Sequence, residues 1–233
     1  MPTSVPMLRR GCVGGTMHHV GQHDFARLLA TDGVVEELVL RSRFGFMAYH
    51  GGGLEVATDL IAREAAERSN ASYYAVLHPG DDPPHIPSIR VDPAHSERLA
   101  AFIAHVDVVV TIHGFGRRGF FTSLLLGGRN RDLAHHVVRH LQPRLPAYRL
   151  VSDTAEIPVD LRGMHSRNPV NLPRQRGVQI ELPPRVRGSS PMWWDWEHGI
   201  TPHTEALIEG LAVAAATWMN DAGFPAGDMV RPH

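Results

Sequence analysis

The chain has 233 residues, of which 43% are hydrophobic and 20% charged, and its formal net charge is -1. This composition suits a packed α/β domain and argues against long disordered spans. The balanced charge excludes a global field that would draw the chain to nucleic acid or to acidic lipid.

Residues 1–40 read as an N-terminal extension of uncertain structure. Arg9-Arg10 is followed by no apolar run, so no signal peptide is expected. Cys12 is the single cysteine, which excludes an intrachain disulfide and a cysteine metal cluster. Any metal site must then draw on the 16 histidines, on carboxylates and on water. A short helix is expected over 24–30, and a short helix or strand over 34–40. Residues 44–49 form an apolar run ending at His50 and Gly51-Gly52-Gly53, the pattern of a buried strand leaving its sheet.

Apolar residues at Leu54, Ala57, Leu60, Ile61 and Ala65 predict a helix over 54–68. Residues 73–77 read as a second strand, 79–87 as a Pro- and Asp-rich loop, and 88–91 as a short strand. A helix over 94–104 leads into a strand at 106–112, where every residue but Asp107 is β-branched and His113-Gly114 ends the run. A strand at 120–126 is closed by Gly127-Gly128. A helix over 132–141 and strands at 148–151 and 178–182 follow. Thr201 as cap and Pro202 at the first helical position open the C-terminal helix, with Gly223 beyond its end. No stretch of about 18 apolar residues exists, so no transmembrane helix is expected and the cytoplasm is the default location. Alternating strands and helices predict a mostly parallel sheet between two helical layers, one domain over 1–233.

In open α/β sheets, ligands bind beyond the carboxyl ends of the strands. His50 and His113 fall at two such ends. Each is followed by glycine, which leaves room for a metal or substrate to approach and lets the chain turn. Glu55 opens the next helix, and the three glycines allow it to fold back towards His50. Two histidines, one carboxylate and a position left for water form a recurring catalytic zinc set. Zinc would lower the pKa of its water and polarise a carbonyl. The same spacing also fits a glutamate serving the helix dipole and two hydrogen-bonded histidines. Along 178–182, Gln179 and Glu181 point to one face, and Val178, Ile180 and Leu182 to the other. Glu181 is thus a candidate proton carrier, or else a solvated residue on a half-exposed strand.

The stretches His50-Gly51-Gly52-Gly53-Leu54-Glu55, Thr111-Ile112-His113-Gly114, Gly127-Gly128-Arg129-Asn130 and Arg176-Gly177-Val178-Gln179-Ile180-Glu181-Leu182 resemble, in order and spacing, the poly-γ-glutamate hydrolase family of bacteriophages and bacteria. The resemblance runs from about Phe44 to the C-terminal helix. That family is similar in fold to zinc carboxypeptidases. The resemblance therefore implies an α/β/α sandwich with a mixed sheet, one zinc ion on His50, Glu55 and His113, and Glu181 as the catalytic carboxylate. Activated water would then attack an amide carbonyl, with zinc and an arginine stabilising the oxyanion; Arg129, which Gly127-Gly128 would present at a strand end, is the candidate. The plain alternative for Arg129 is a surface residue before the 132–141 helix.

All 23 residues counted as Lys or Arg are arginine, a bias that GC-rich codon usage explains. An anionic polymer would nonetheless call for them, and Arg117, Arg118, Arg131, Arg162, Arg167 and Arg176 lie in or near the motif loops. His165, in the polar segment 165–171, is a further candidate substrate ligand. Met192-Trp193-Trp194-Asp195-Trp196 and the long N-terminal part depart from the compact phage enzymes. The tryptophans could cover the site, meet a partner subunit or pack under the C-terminal helix.

Three functions fit these patterns: a γ-glutamyl amidohydrolase, a zinc hydrolase of a small N-acyl amino acid or short amide, and a non-catalytic phage-derived binding module. The last would have lost a ligand or the catalytic carboxylate, and all four are present. An open, arginine-lined cleft would favour the polymer, and a closed pocket the small substrate. No nucleic-acid or membrane partner is expected. The oligomeric state stays open, as does manganese, cobalt or iron in place of zinc.

Overall fold

The strand after Arg43 is apolar on both faces. Phe46 and Ala48 enter one core, while Met47 and Tyr49 enter a second core on the other side. A strand buried this way needs a covering layer above and below. The computed structural model, which describes residues 24–80 and 84–221, supplies both.

Seven strands form one sheet: β1 (Val35–Val39), β2 (Phe44–Gly52), β3 (Ser72–His78), β4 (Val108–Gly114), β5 (Ser123–Leu126), β6 (Arg149–Val151) and β7 (Gly177–Leu182). Their order across the sheet is β1-β3-β2-β4-β7-β5-β6. Pairings β2–β3, β2–β4, β4–β7 and β5–β6 are parallel, while β1–β3 and β5–β7 are antiparallel. The sheet is therefore mixed, with its three central strands running in one direction.

Helices α2 (Thr58–Ser69), α4 (Arg131–Leu141) and α5 (Pro202–Asp221) cover one face. They bury Ile61 and Ala65, Leu133 and Val137, and Leu207 and Leu211 against it. Helices α1 (Asp24–Leu29) and α3 (Glu97–His105) cover the other face with Phe25, Leu28, Leu99 and Phe102. Residues 24–40, expected as part of an extension, thus contribute α1 and the edge strand β1 to this framework. The expectations at Arg9-Arg10, Cys12 and Gly223 fall outside the described residues. Among the described residues, no helix is long and apolar enough to cross a membrane.

Several boundaries differ from the sequence reading. Residues 88–91 are not a strand: Ser88–Arg90 is a 3₁₀ turn, followed by a second one at Pro93–His95. Asp92 caps that second turn through Ala94 N–H, and the nearby prolines lack a ladder donor. Helix α2 begins at Thr58, not at 54. Ala57 sits in the left-handed region at φ 70°, and Glu55 backbone N–H first closes a turn onto His50 C=O at 2.9 Å. Strand β5 is shorter than expected because residues 117–122 form turns. At α5, Thr201 does cap the helix, its Oγ1 accepting from Thr204 N–H at 3.3 Å. Of the tryptophans, Trp193 packs edge-on against His203 of α5 and donates to Arg185 C=O at 2.7 Å, whereas Trp194 is 83% exposed.

Candidate functional site

Strands β2, β4 and β7 are adjacent and parallel, so their carboxyl ends open onto one edge of the sheet. Ligand sites of open α/β sheets lie there. His50 sits inside β2 rather than after it, and His113 inside β4. The β2–β3 register shifts between Ala48 and Gly51, and this irregularity re-aims Tyr49 and His50.

The glycines after His50 serve backbone packing. A Cβ at Gly53 would stand 1.7 Å from Gly80 C=O, and one at Gly52, where φ is +67°, would stand 2.5 Å from His78 C=O. The sequence suggested clearance for a metal or substrate at Gly51 and Gly114, but an added Cβ there would meet Asp59 and the Arg187 guanidinium, each at 2.7 Å. The structure instead uses the missing side chains of Gly52 and Gly53 to press the loop onto the end of β3. That tight turn swings Glu55 back over His50.

The Glu55 carboxylate then bridges two imidazoles. Its Oε1 lies 3.0 Å from His50 Nδ1. Its Oε2 lies 3.2 Å from His113 Nδ1 and accepts Gly114 N–H at 2.8 Å. One ligand atom from each residue falls within 4.8 Å of the others. The far ring nitrogens are also engaged. His50 Nε2 is 3.0 Å from Ile86 C=O, and His113 Nε2 is 2.9 Å from Tyr49 Oη. Such outer contacts lock ring orientation in metal sites.

Burial pushes the His50 pKa down, and Glu55 only partly offsets it. Burial acts on His113 in the same direction, but there the Glu55 carboxylate outweighs it and the pKa rises. Burial opposes ionisation of Glu55, yet the two imidazoles hold its carboxyl well below the usual carboxylate range. A carboxylate held in its ionised form between two buried imidazoles favours a cation at this point, so the donor set suits a divalent ion. Two nitrogens, one carboxylate and an open side match the zinc preference for three protein ligands and one exchangeable position.

Glu181 of β7 pairs in register with His113 of β4, so both side chains leave the same face of the sheet. Strand β7 is buried throughout, which rules out the solvated alternative. Burial raises the Glu181 carboxyl to about 7, with His113 and a hydrogen bond from Gln179 acting against that rise.

A family model described as poly-gamma-glutamate hydrolase matches residues 26–192. The chain belongs to that family. The poly-γ-glutamate hydrolases are amide hydrolases, and the α/β architecture is shared with solved structures. A bacteriophage poly-gamma-glutamate hydrolase aligns with a TM-score of 0.68 and 19% identity over 82% of this chain and 92% of its own. The zinc-free apo form of YNDL aligns with a TM-score of 0.58 and 19% identity over 82% of this chain and 91% of its own. At these identities the likeness is one of fold. No curated protein matches the chain.

In this member of the poly-γ-glutamate hydrolase family, His50, Glu55, His113 and Glu181 line one open cleft of about 870 Å³. Arg129, Arg162 and His165 line it too. Arg129 donates through Nε to Met164 C=O at 2.8 Å, and Arg162 through Nε to Ile157 C=O at 2.8 Å. His165 Nδ1 accepts the backbone N–H of Arg167, whose side chain lies outside the cleft lining. Arg117 stands off the lining and pairs with Asp160, a cleft residue, at 2.6 Å.

Arg131, expected at the substrate, is committed elsewhere. Its guanidinium donates to the carbonyls of Leu126, Gly127, Gly128 and Ser152. Arg131→Met is therefore expected to destabilise the fold by about 1–3 kcal/mol, read from denaturant unfolding.

Three contributors escaped the sequence reading. His85 packs at a tilt against His50, with ring centroids 4.7 Å apart, and lines the cleft, but it lies in a proline-rich loop with no local pattern. Tyr49 read only as core. Arg187 packs its guanidinium on Gly114, where a Cβ would stand 2.7 Å from Cζ, and its charge acts on Glu55 and Glu181.

Proposed function

We propose that the chain is a zinc-dependent amide hydrolase acting on γ-glutamyl-type bonds of an acidic chain. One observation carries the reading: His50 Nδ1, His113 Nδ1 and the Glu55 carboxylate converge within 4.8 Å, beside a second buried carboxylate in the same cleft. Bound zinc supplies Lewis-acid polarisation of the scissile carbonyl and acidifies water. Glu181 takes the proton of the attacking water and returns it to the leaving amine. Burial lifts this carboxyl to about 7 in the metal-free protein, and a bound cation would draw it back towards the ionised form that accepts the proton. Arg129 uses one guanidinium nitrogen on Met164 and lines the cleft, which leaves its other N–H groups to serve the developing oxyanion or a substrate carboxylate.

An acidic chain is favoured by a pocket of about 420 Å³ that shares Arg129 with the cleft and adds Arg131, Arg174 and Arg176 against a single acidic residue, Asp132. A second reading, a small amide bearing an apolar group, draws on Phe115, Leu161 and Met164 in the cleft wall. The test incubates purified, zinc-loaded protein with poly-γ-glutamate and, separately, with N-acyl amino acids. Zinc-dependent shortening of the polymer is the expected result. Faster turnover of the N-acyl amino acids would replace the substrate, and full activity after chelation would remove the zinc.

A further inference from the structure

We propose that Gln179 is the positioning residue for the Glu181 carboxylate, and that its amide is held the right way round by a buried, one-way chain of hydrogen bonds through His113, Tyr49 and Asn168. The inference rests on the reading of Glu181 as the base.

The direction of the chain follows from one backbone group. Val170 N–H donates to Asn168 Oδ1 at 3.2 Å, which identifies that atom as the acceptor end of the amide. Tyr49 O–H donates to the same oxygen at 3.3 Å. With its proton spent there, Tyr49 Oη accepts from His113 Nε2–H at 2.9 Å. Asn168 then has its Nδ2 to offer, and this donates to Gln179 Oε1 at 2.8 Å. The Gln179 amide consequently turns its Nε2 to Glu181 Oε1, also at 2.8 Å. All five side chains are buried.

No link can be reversed alone. Turning the Gln179 amide over would set oxygen against the Glu181 carboxylate and NH₂ against NH₂ at Asn168, in a cleft wall where each of the three side chains is only 4% exposed. The cleft loop adds a wall: at Gly163, where φ is +62°, a Cβ would stand 2.7 Å from Gln179 Oε1. One carboxylate oxygen of Glu181 is thereby pinned by an amide donor. A reacting group held this way keeps the geometry that proton transfer needs. The same chain begins on the ring nitrogen opposite His113 Nδ1, so Tyr49 orients a metal-facing imidazole and the amide relay together.

The experiment uses the full chain loaded with zinc, with steady-state kinetics and with zinc affinity measured by chelator competition. Gln179→Glu keeps the acceptor for Asn168 but can meet Glu181 only by sharing a proton with it, which blocks its action as a base; Gln179→Leu removes both contacts. Each is expected to lower kcat by about 10²-fold, with KM and zinc affinity unchanged. Unchanged zinc affinity also certifies that the site has folded. In a Glu181→Gln background, Gln179→Leu is expected to cost nothing more, because groups that act as a unit are not additive. Tyr49→Phe, which strips the contact from His113 Nε2, should weaken zinc binding by about 10- to 100-fold. Wild-type kcat in Gln179→Glu, a further loss on top of Glu181→Gln, or unaltered zinc affinity in Tyr49→Phe would each overturn the proposal. An active Glu181→Gln enzyme would remove the base reading itself. An inactive Glu181→Gln beside a fully active Gln179→Glu would remove the positioning role alone.

Discussion

Glu181→Gln is expected to lower kcat/KM by about 10²- to 10⁴-fold, the usual worth of a positioned general acid–base, while the protein keeps its metal. The substitution conserves shape. The introduced amide can still accept the Gln179 N–H through its own oxygen, so the cleft keeps its packing and loses only the ionisable group. Metal content by elemental analysis, measured beside turnover, separates this from collapse of the site.

The pH profile gives an independent reading of the same group. Its sign is fixed by the chemistry: Glu181 must be ionised to accept a proton, so activity falls as pH falls through its pKa. Burial lifts that pKa from the ordinary 4.5 to about 7 in the metal-free protein. A cation held by the neighbouring His113 favours the ionised form and draws it back down. The acid limb of kcat/KM should therefore lie between these two values, and the residual activity of Glu181→Gln should lack it. A limb that persists unchanged in the variant would assign it to another group.

The second large effect concerns Glu55. Its two oxygens serve both imidazoles and Gly114 N–H, so Glu55→Gln removes the negative charge around which the donor set is built. Zinc binding should be lost in this variant. A ligand that binds only the folded state at 100 times its Kd adds about 2.7 kcal/mol. For a chain of this size that corresponds to a rise of roughly 5–11 °C in Tm. Wild-type protein should show that zinc-dependent rise, and Glu55→Gln none. Zinc must also compete with protonation of His113, whose pKa Glu55 raises. Zinc affinity in the wild type should accordingly increase with pH and level off once His113 is deprotonated. A zinc-dependent Tm rise retained in Glu55→Gln would place the ion elsewhere.

Much of this site was legible before any coordinates because it is built from local patterns carried by parallel strands. An apolar run stopped by His-Gly marks a strand end, and parallel neighbours bring their ends to one edge of the sheet. That logic placed His50 and His113 together, and two-residue alternation put Gln179 and Glu181 on one face. The turn that starts α2 late was hidden, because Ala57 at φ 70° follows from packing and from no residue preference. The glycines were recognised but their purpose was not: clearance for a ligand and contact with Gly80 C=O look identical in a string of letters.

The arginines mark the limit most clearly. Arg129 and Arg131 are two residues apart, yet one faces the cleft and the other spends its guanidinium on backbone carbonyls. Composition reports a charge, not the direction in which a long, flexible side chain is drawn. The sequence alone determined which residue types stand at the strand ends, because periodicity and turn chemistry are local. Only the tertiary structure decided who bonds to whom. Tyr49 and Asn168 lie 119 residues apart, and the polarity of their contact is dictated by a single N–H at Val170 that no spacing rule connects to either metal-facing histidine.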